Sequence, residues 1–316
     1  MQQKRSLFLP ISFFIRVGLV IFGATLFIRP LYYYLTEGFS LKRVEVTIER
    51  DPALVLAQPS KQDIESLSLI TKQPFRYFKK GSQAYAFMSD DGKYILKLFK
   101  FHHMHSMKWL QAIPLPACFQ EERNSLINHR EERISLTLHS YKIAQEKLNK
   151  ECALIFTQIL PSSSYTLPVT IIDPVGRTYS FDLAHYGFAL QHRVNLVLPA
   201  LRNWIQLNKI DEAKKALSSL VGLFVTRCKK GIQDIDPDLH KNAGYFGSTA
   251  VHIDIGSFLE NNLMTSKEKM VPDIQKAFKK LHLWLEGRSP DLASFLAEKL
   301  KDPEKEVWTE PQLSPK

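Results

Sequence analysis

The sequence predicts an α+β protein with two lobes, an antiparallel-sheet small lobe followed by a helical large lobe, behind one N-terminal transmembrane helix. Three observations lead to this prediction. Residues 7–28 are almost all apolar, strand-like stretches separated by turns occur within 81–191, and an amphipathic helical pattern covers 211–230. The predicted segments are an anchor at 1–36, a linker at 37–75, a small lobe at 76–193, a large lobe at 194–301 and a disordered, proline- and charge-rich tail at 302–316.

The N-terminal apolar run is long enough to cross a bilayer, because a hydrocarbon core requires about 20 apolar residues. Arg16 is the one charged residue within 7–28. Its insertion costs about 3 kcal/mol, which many Leu, Ile, Phe and Val residues outweigh at several tenths of a kcal/mol each. We therefore expect residues 7–35 to contact the lipid bilayer, with the tyrosines at 32–34 at its interface.

Two other interpretations of this run stay open. Lys4 and Arg5 resemble the basic start of a cleaved signal peptide, but no small-x-small cleavage site follows the apolar run. The run could also form a buried helix of a soluble protein. For a membrane anchor, the basic residues that follow the span slightly favour a cytoplasmic C-terminal domain.

The stretch 81–100 predicts a β-hairpin. Two strand-like runs flank the turn sequence Ser-Asp-Asp-Gly at 89–92. The second run, at 94–97, ends in Lys97. Downstream, residues 119–150 contain neither Gly nor Pro and predict one long helix.

The segment 229–258 is rich in oxygen ligands. In order along the chain it contains Asp234, Asp236, Asp238, Asn242 and, after an apolar strand-like run, Asp254. Magnesium prefers oxygen ligands and is usually held by one or two carboxylates together with substrate phosphates. Asn242 and Asp254 are therefore the predicted metal ligands.

This segment resembles the active site of protein kinases and related small-molecule kinases, in which a His-Arg-Asp triplet precedes an Asn and a metal-binding Asp-Phe-Gly. Asp254-Ile255-Gly256 matches the second motif, with Ile for Phe as in aminoglycoside kinases. Asp236 falls at the catalytic aspartate, although the His and Arg are replaced and five residues rather than four precede Asn242. Asp234 and Asp238 remain alternatives for this position.

The same resemblance implies roles for upstream residues. Lys97 would contact the α- and β-phosphates, and Gly81 would belong to a reduced phosphate-covering loop that lacks the glycine triplet of kinases. A glutamate of the long helix would pair with Lys97; Glu132 is our choice over Glu122 and Glu131. Residues 191–193 would form the hinge that meets the adenine.

Composition limits the other partners. The net charge is +10, but the basic residues are scattered and no basic block with interleaved aromatics occurs, so we expect no nucleic-acid binding. The three cysteines are far apart, which predicts neither a disulfide framework nor a zinc cluster.

The sequence thus predicts a membrane-anchored, ATP- and Mg²⁺-dependent kinase-like phosphotransferase whose acceptor substrate has no signature in the chain. The alternative is a membrane-tethered pseudokinase or scaffold without catalysis. The altered His-Arg-Asp triplet and the poor glycine loop favour this alternative, whereas Lys97, Asn242 and Asp254 oppose it.

Overall fold

An apolar helix leads into two lobes in this computed structural model, which describes residues 11–48 and 51–311. Helix α1 spans Ile11–Leu35. Within the described residues it contains the single stretch, Gly18–Leu35, that is long and apolar enough to cross a membrane, and none of that stretch is buried in the protein. Residues 7–10 of the predicted span lie outside the described chain.

The small lobe is built on a seven-stranded sheet with the order β4-β7-β3-β2-β1-β5-β6. Its elements are α2 (Lys61–Thr71), β1 (Phe75–Lys80), β2 (Ala84–Ser89), β3 (Tyr94–Phe99), α3 (Ala117–Lys147), β4 (Leu154–Gln158), β5 (Pro168–Ile172), β6 (Thr178–Asp182) and β7 (Phe188–His192). All neighbouring strands are antiparallel except the pair β1–β5. The β2–β3 hairpin and the long helix α3 lie close to their predicted positions at 81–100 and 119–150, whereas β1 lies before the predicted strand region.

The β2–β3 hairpin places Lys97 opposite Ala86 in the sheet. Gly92 closes the turn with a φ of +70°, a conformation that residues with a Cβ rarely adopt. Asp91 stabilises the turn by accepting hydrogen bonds from the Lys93 backbone N–H (3.0 Å) and the Ser89 hydroxyl (2.6 Å). Local turn chemistry therefore fixes the register that orients Lys97.

The large lobe surrounds the buried helix α5. Its elements are β8 (Asn195–Leu196), α4 (Val197–Gln206), α5 (Ile210–Lys229), β9 (Ile232–Asp234), α6 (Leu239–Asn242), β10 (Ala243–Phe246), β11 (Thr249–His252), β12 (Phe258–Glu260), α7 (Lys267–Glu286) and α8 (Pro290–Lys301). The apolar stripe of α5 packs against α7, α8 and β11. The fold is therefore α+β and bilobal, as predicted.

The described residues of the predicted linker, 37–48 and 51–75, pack on the small lobe rather than forming a separate segment. They contain α2, and Phe39, Val44 and Leu67 are buried in the small-lobe core. Phe39 contacts the rings of Tyr85 and Phe87 edge-on, each at a centroid distance of 5.2 Å. The buried face of α2, which carries Leu67, and single apolar residues of irregular backbone, such as Phe39 and Val44, attach this segment.

The C-terminal tail is also attached as far as residue 311, in contrast to the predicted disorder. Trp308 donates its indole N–H to the Ala250 carbonyl (2.7 Å), and Pro303 is buried. Gly222 of α5 allows the close approach, because a Cβ there would lie 2.7 Å from the Trp308 backbone nitrogen. Residues 312–316 lie outside the described chain.

We expect the substitution Phe39→Ala to lower the free energy of unfolding by about 3 to 5 kcal/mol, because it leaves a cavity among the rings of Tyr85, Phe87 and Tyr179. The matched control, Phe119→Ala on an exposed position of α3 (52 % exposed), should change it by less than about 0.5 kcal/mol. Chemical denaturation in detergent micelles, followed by tryptophan fluorescence, measures both. Equal effects of the two substitutions would contradict the assignment of 37–75 to the small lobe.

Candidate functional site

Lys97 of the small lobe meets the end of β11 in the large lobe. Its Nζ donates a hydrogen bond to the Ile253 carbonyl at 2.5 Å, across 156 residues of sequence. Ile253 directly precedes Asp254, so the lysine and the carboxylate of the predicted Asp-x-Gly motif lie in one site.

The Lys97 ammonium is held in a dense protein environment at the wall of a cavity. Burial lowers the pKa of Lys97 to about 8, and the neighbouring Asp254 carboxylate opposes this shift. Desolvation penalises the charged form of an amine, so the carboxylate and the Ile253 carbonyl are the groups that favour a protonated Lys97.

One cavity of about 430 Å³ brings together most of the predicted site residues. Its wall includes Gly81, Lys97, Asp236, Asn242 and Asp254. Five residues predicted from separate parts of the sequence therefore converge at the cleft between the lobes.

The aspartate-rich loop separates its three carboxylates into different positions. Asp234 is buried, and its carboxylate accepts hydrogen bonds from the Ser257 hydroxyl (2.7 Å) and the Asp236 backbone N–H (3.0 Å). Asp238 caps α6 by accepting from the His240 backbone N–H at 3.1 Å. Asp236 is the member of the three that lines the cavity.

Arg227 of α5 supports this loop from inside the large lobe. Its side chain is completely buried, with Nη1 3.7 Å from the Asp234 carboxylate and Nη2 3.1 Å from that of Asp273. Burial raises the pKa of Asp234, and the guanidinium opposes the shift. A buried charge is tolerated only when it is paired, so the two carboxylates and Arg227 depend on one another.

Asn242 and Asp254 have oxygen atoms available for a metal ion. The Asn242 amide donates its Nδ2 to the Asp236 carbonyl (2.8 Å), which leaves its side-chain oxygen free to accept. One Asp254 carboxylate oxygen accepts from the Gly256 backbone N–H at 3.0 Å. Across 11–48 and 51–311, no cluster of three His, Cys, Asp or Glu side chains could hold a metal. A carboxylate and an amide fit magnesium, which takes its other ligands from phosphates and water.

Glu132 does not lie at the cavity. It is exposed on α3 and lines a shallow concavity elsewhere on that helix. Tyr141, nine residues later, is the α3 residue on the cavity wall. Nine residues of an α-helix correspond to a rotation of about 180°, so the two side chains point to opposite faces. Glu131 instead pairs loosely with Lys108 at 3.9 Å, and Glu122 is exposed.

Three residues of the site were not predicted from the sequence: Gln83, Ser140 and Tyr141. The Tyr141 ring stacks on Phe99 at 4.0 Å, and its hydroxyl donates to the Gln83 side-chain oxygen at 3.3 Å. Burial, with a contribution from nearby Asp254, raises the pKa of Tyr141, so its hydroxyl stays protonated. The apolar spacing of the second half of α3 was the available signal, since Leu138, Tyr141 and Ala144 share its buried face.

Gln83 connects the turn after β1 to the Asp254-Ile255-Gly256 corner. Its Nε2 donates to the Gly256 carbonyl at 3.3 Å, and a Cβ at Gly256 would collide with the Gln83 side chain. Ser140 adds a second link from α3 by donating to the Ile255 carbonyl (2.7 Å) and accepting from the Phe258 N–H (2.6 Å). The corner is therefore held by α3 and by the turn at 81–83.

A second, smaller cavity of about 230 Å³ adjoins the first behind Lys97. Its lining is mainly apolar and includes the predicted hinge, residues 191–193. The Gln191 side chain already donates a hydrogen bond from its Nε2 to the Cys152 carbonyl at 2.8 Å. An apolar slot of this kind suits a flat heterocycle.

No protein-family profile matches the chain, and no curated protein matches it significantly in sequence. Among solved structures, a 2.2 Å crystal structure of WbdD is 16% identical with a TM-score of 0.32, covering 77% of this chain and 48% of that one. The bifunctional kinase-methyltransferase WbdD at medium resolution is 15% identical, with a TM-score of 0.29 and coverages of 74% and 45%. WaaP in complex with acyl carrier protein is 10% identical, with a TM-score of 0.30 and coverages of 79% and 99%. The chain spans about half the length of WbdD. At these TM-scores the similarities are remote, and we derive no residue role from them.

The lowered pKa of Lys97 predicts a pH dependence of stability in the nucleotide-free protein. The folded state releases the Lys97 proton near pH 8, whereas the unfolded chain holds it to about pH 10.4. The unfolded state therefore binds more protons in this window, and the free energy of unfolding should rise with pH there. Relative to Lys97→Met, the wild type should gain up to about 3 kcal/mol between these two pH values.

Urea titrations at a series of pH values measure this difference. Lys276→Met, at an exposed lysine of α7, is the matched control and should keep the wild-type profile. Parallel profiles for wild type and Lys97→Met would show that Lys97 has an ordinary pKa.

Proposed function

We propose that this chain is a membrane-anchored phosphotransferase that uses magnesium-ATP. The observation that carries the proposal is the proximity of Lys97 to Asp254. The hydrogen bond from Lys97 Nζ to the carbonyl of the preceding residue, Ile253, joins the two lobes across 156 residues of sequence. A phosphate-binding cation opposite a metal-binding carboxylate, in a cleft with an apolar slot, is the arrangement that phosphoryl transfer from a nucleotide requires.

Lys97 would hold phosphate oxygens. Its ammonium has three N–H donors, of which the Ile253 carbonyl uses one. The remaining two point from a poorly solvated position, where their attraction to phosphate is stronger than in bulk water. The turn at Gly81 would cover the phosphates from the other side of the cavity.

Asn242 and Asp254 would hold the magnesium ion. When bound, magnesium would neutralise charge on the phosphates and orient the transferred group. Asp254 is held in place by its bond to the Gly256 N–H, and Asn242 by its bond to the Asp236 carbonyl. These bonds orient the two side chains and leave at least one oxygen of each available to bind a metal ion.

Asp236 would orient the acceptor hydroxyl and accept its proton. Its backbone is fixed twice, by the bond of its N–H to Asp234 and by the bond of its carbonyl to Asn242. Its side chain is exposed at the cavity wall, where an acceptor can reach it. The adjoining apolar slot beside residues 191–193 would receive the adenine.

A pseudokinase is the second candidate, and two observations favour it. No Asp or Glu of α3 lines the cavity, so Lys97 lacks the helix carboxylate that active kinases use. Gln83 also reaches across the cavity to Gly256, into space near the phosphates. In this alternative the chain would use the cleft for binding or assembly without transfer.

The helix α1 would anchor the protein as a single-pass membrane protein, with the two lobes in the cytoplasm. The exposed apolar side chains along Gly18–Leu35 support insertion. Alkaline carbonate extraction should leave the full chain in the membrane fraction.

We expect Asp236→Asn to lower the rate of phosphate transfer from ATP by about a hundredfold or more, because it removes the proton acceptor. Release of labelled phosphate to water or to the protein itself, in the presence of magnesium, measures the rate. Asp291→Asn, at an exposed position of α8, is the matched control and should keep the wild-type rate. Wild-type transfer by Asp236→Asn would exclude Asp236 as the proton acceptor.

Nucleotide binding distinguishes the enzyme from a scaffold that uses the cleft differently. Magnesium-ATP should raise the thermal unfolding midpoint of the wild type, since a ligand that binds the folded state stabilises it. Asp254→Ala should lose the part of this shift that depends on magnesium and keep the small shift given by nucleotide alone. Binding by the wild type without any phosphate transfer would favour the pseudokinase. Absence of binding would exclude the phosphotransferase and favour a scaffold that does not use nucleotide.

A further inference from the structure

A groove lies where the last turn of α1 meets the small-lobe sheet. It has a volume of about 880 Å³ and is separate from the nucleotide cavity except at Lys80, which borders both. One wall is the end of α1, at Tyr33, Tyr34 and Leu35. The other wall is β1 together with the turn at 172–176.

Cations are arranged around the tyrosine rings at this junction. Lys80 Nζ lies 4.9 Å from the centroid of the Tyr33 ring and 3.2 Å from its hydroxyl oxygen. The Arg43 guanidinium lies 5.1 Å from the same centroid. On the other side, Arg177 lies 5.2 Å from the Tyr32 centroid and donates to its hydroxyl at 2.9 Å. The rings hold the cations in place without neutralising them.

The acidic groups at the groove are already engaged by other donors. Glu37 accepts from the Tyr77 hydroxyl at 2.7 Å. Asp173 accepts from the backbone N–H groups of Val175 (3.0 Å) and Arg177 (2.8 Å). Within the part of the chain that the structure describes, no carboxylate lies within 4.0 Å of the charged groups of Arg43, Lys80 or Arg177. Glu37 and Asp173 keep their negative charge, but the three cations Arg43, Lys80 and Arg177 around the tyrosine rings outnumber them, so the junction is net positive.

A further cation behind the groove strengthens this field. Lys100 is buried, lies 4.4 Å from the Tyr85 ring centroid and donates to the Gly81 carbonyl. Its pKa is lowered to about 8 by burial, with further lowering by Lys80 and Arg43. An anion beside Lys80 would relieve this repulsion.

The α1 side of the groove continues as an apolar surface. Phe27, Ile28, Leu31 and Leu35 are all more than half exposed, and they lie on the stretch that is apolar enough to span a bilayer. Tyrosines at the end of such a helix mark the depth of the headgroups. With α1 inserted in a bilayer, the cations at Tyr32 and Tyr33 would therefore lie at the depth of lipid phosphates.

We propose that this groove binds the phosphate of an anionic glycerophospholipid, with its acyl chains along α1. The cationic ligands would be Lys80, which lines the groove, and Arg177, which directly follows the lining residue Gly176. The proposal rests on the membrane anchor of the proposed function and goes beyond it, because it assigns a lipid site and a fixed contact between the small lobe and the bilayer. Charge-assisted hydrogen bonds from Lys and Arg are the strong ligands of phosphate. The juxtaposed apolar wall favours a lipid over a free anion, which has no apolar part to bury.

Hydrogen exchange of the full chain in nanodiscs tests the proposal. Discs of phosphatidylcholine alone are compared with discs that also contain phosphatidylglycerol, and exchange is followed at 76–81 and 173–178. We expect exchange at both segments to slow several-fold in the anionic discs. The variant with Lys80→Gln and Arg177→Gln should lose this slowing, whereas the control with Lys276→Gln and Lys280→Gln, two exposed lysines of α7, should keep it.

Each contrary outcome has a separate meaning. Equal exchange in the two kinds of disc, or slowing that persists in the double variant, overturns the lipid site. Slowing by inorganic phosphate in phosphatidylcholine discs would show a soluble-anion site and also overturn it. Unchanged exchange of α5 in the double variant verifies its fold, and Arg177→Gln alone serves if that fold is lost. Failure of the wild type to enter discs would overturn the anchor together with this proposal, whereas entry with unchanged exchange would overturn this proposal alone.

Discussion

A lysine ammonium removed from bulk water is the constraint on which the candidate site depends. Lys97 comes from a strand of the small lobe, and the groups that favour its charged form, the Ile253 carbonyl and the Asp254 carboxylate, come from the large lobe. Opening of the cleft would separate the charge from these partners, so the same contact holds the two lobes at a fixed spacing. Gln83 and Ser140 add neutral hydrogen bonds to the backbone of the same corner. The corner that contains Asp254 is therefore fixed from β3, from α3 and from the turn after β1.

A second buried charge holds separate chain segments together inside the large lobe. Arg227 has no exposed surface, and its two carboxylate partners come from the aspartate loop and from α7. Asp234 extends this network, because its carboxylate also accepts hydrogen bonds from the Ser257 hydroxyl and the Asp236 N–H. Removal of one partner from such a buried network leaves an uncompensated charge and costs more than the intact network contributes. Asp234 is thus a structural link between the aspartate-rich loop and Ser257, the residue after the Asp254-Ile255-Gly256 corner.

The sequence supported the fold and the meeting of Lys97 with Asp254 because turn chemistry and apolar periodicity act locally. The hairpin turn at Gly92 and the apolar strand before Asp254 are visible in a few residues each. Local sequence patterns could not show which face of α3 carries Glu132. A helix of 31 residues without Gly or Pro gives no marker of which face meets the sheet, and the buried face is set by Tyr141 and its stack on Phe99. The attachment of Phe39 and Trp308 was missed for a related reason, because single aromatic residues in irregular segments carry no period.

The attachment of residues 37–48 to the small lobe changes what a membrane anchor can do. A flexible linker would leave the lobes free to rotate, whereas Phe39 in the core and Tyr32 and Tyr33 against Arg177 and Lys80 fix the end of α1 on the sheet. Lys80 borders the groove at this junction and also the cavity that contains Lys97. One ammonium cannot bind a phosphate fully in both places. If each cavity takes a phosphate, the two binding free energies must be coupled, and the coupling must be the same in both directions. The strand β1 would then connect the membrane surface to the nucleotide cavity through a single side chain, without a change of fold.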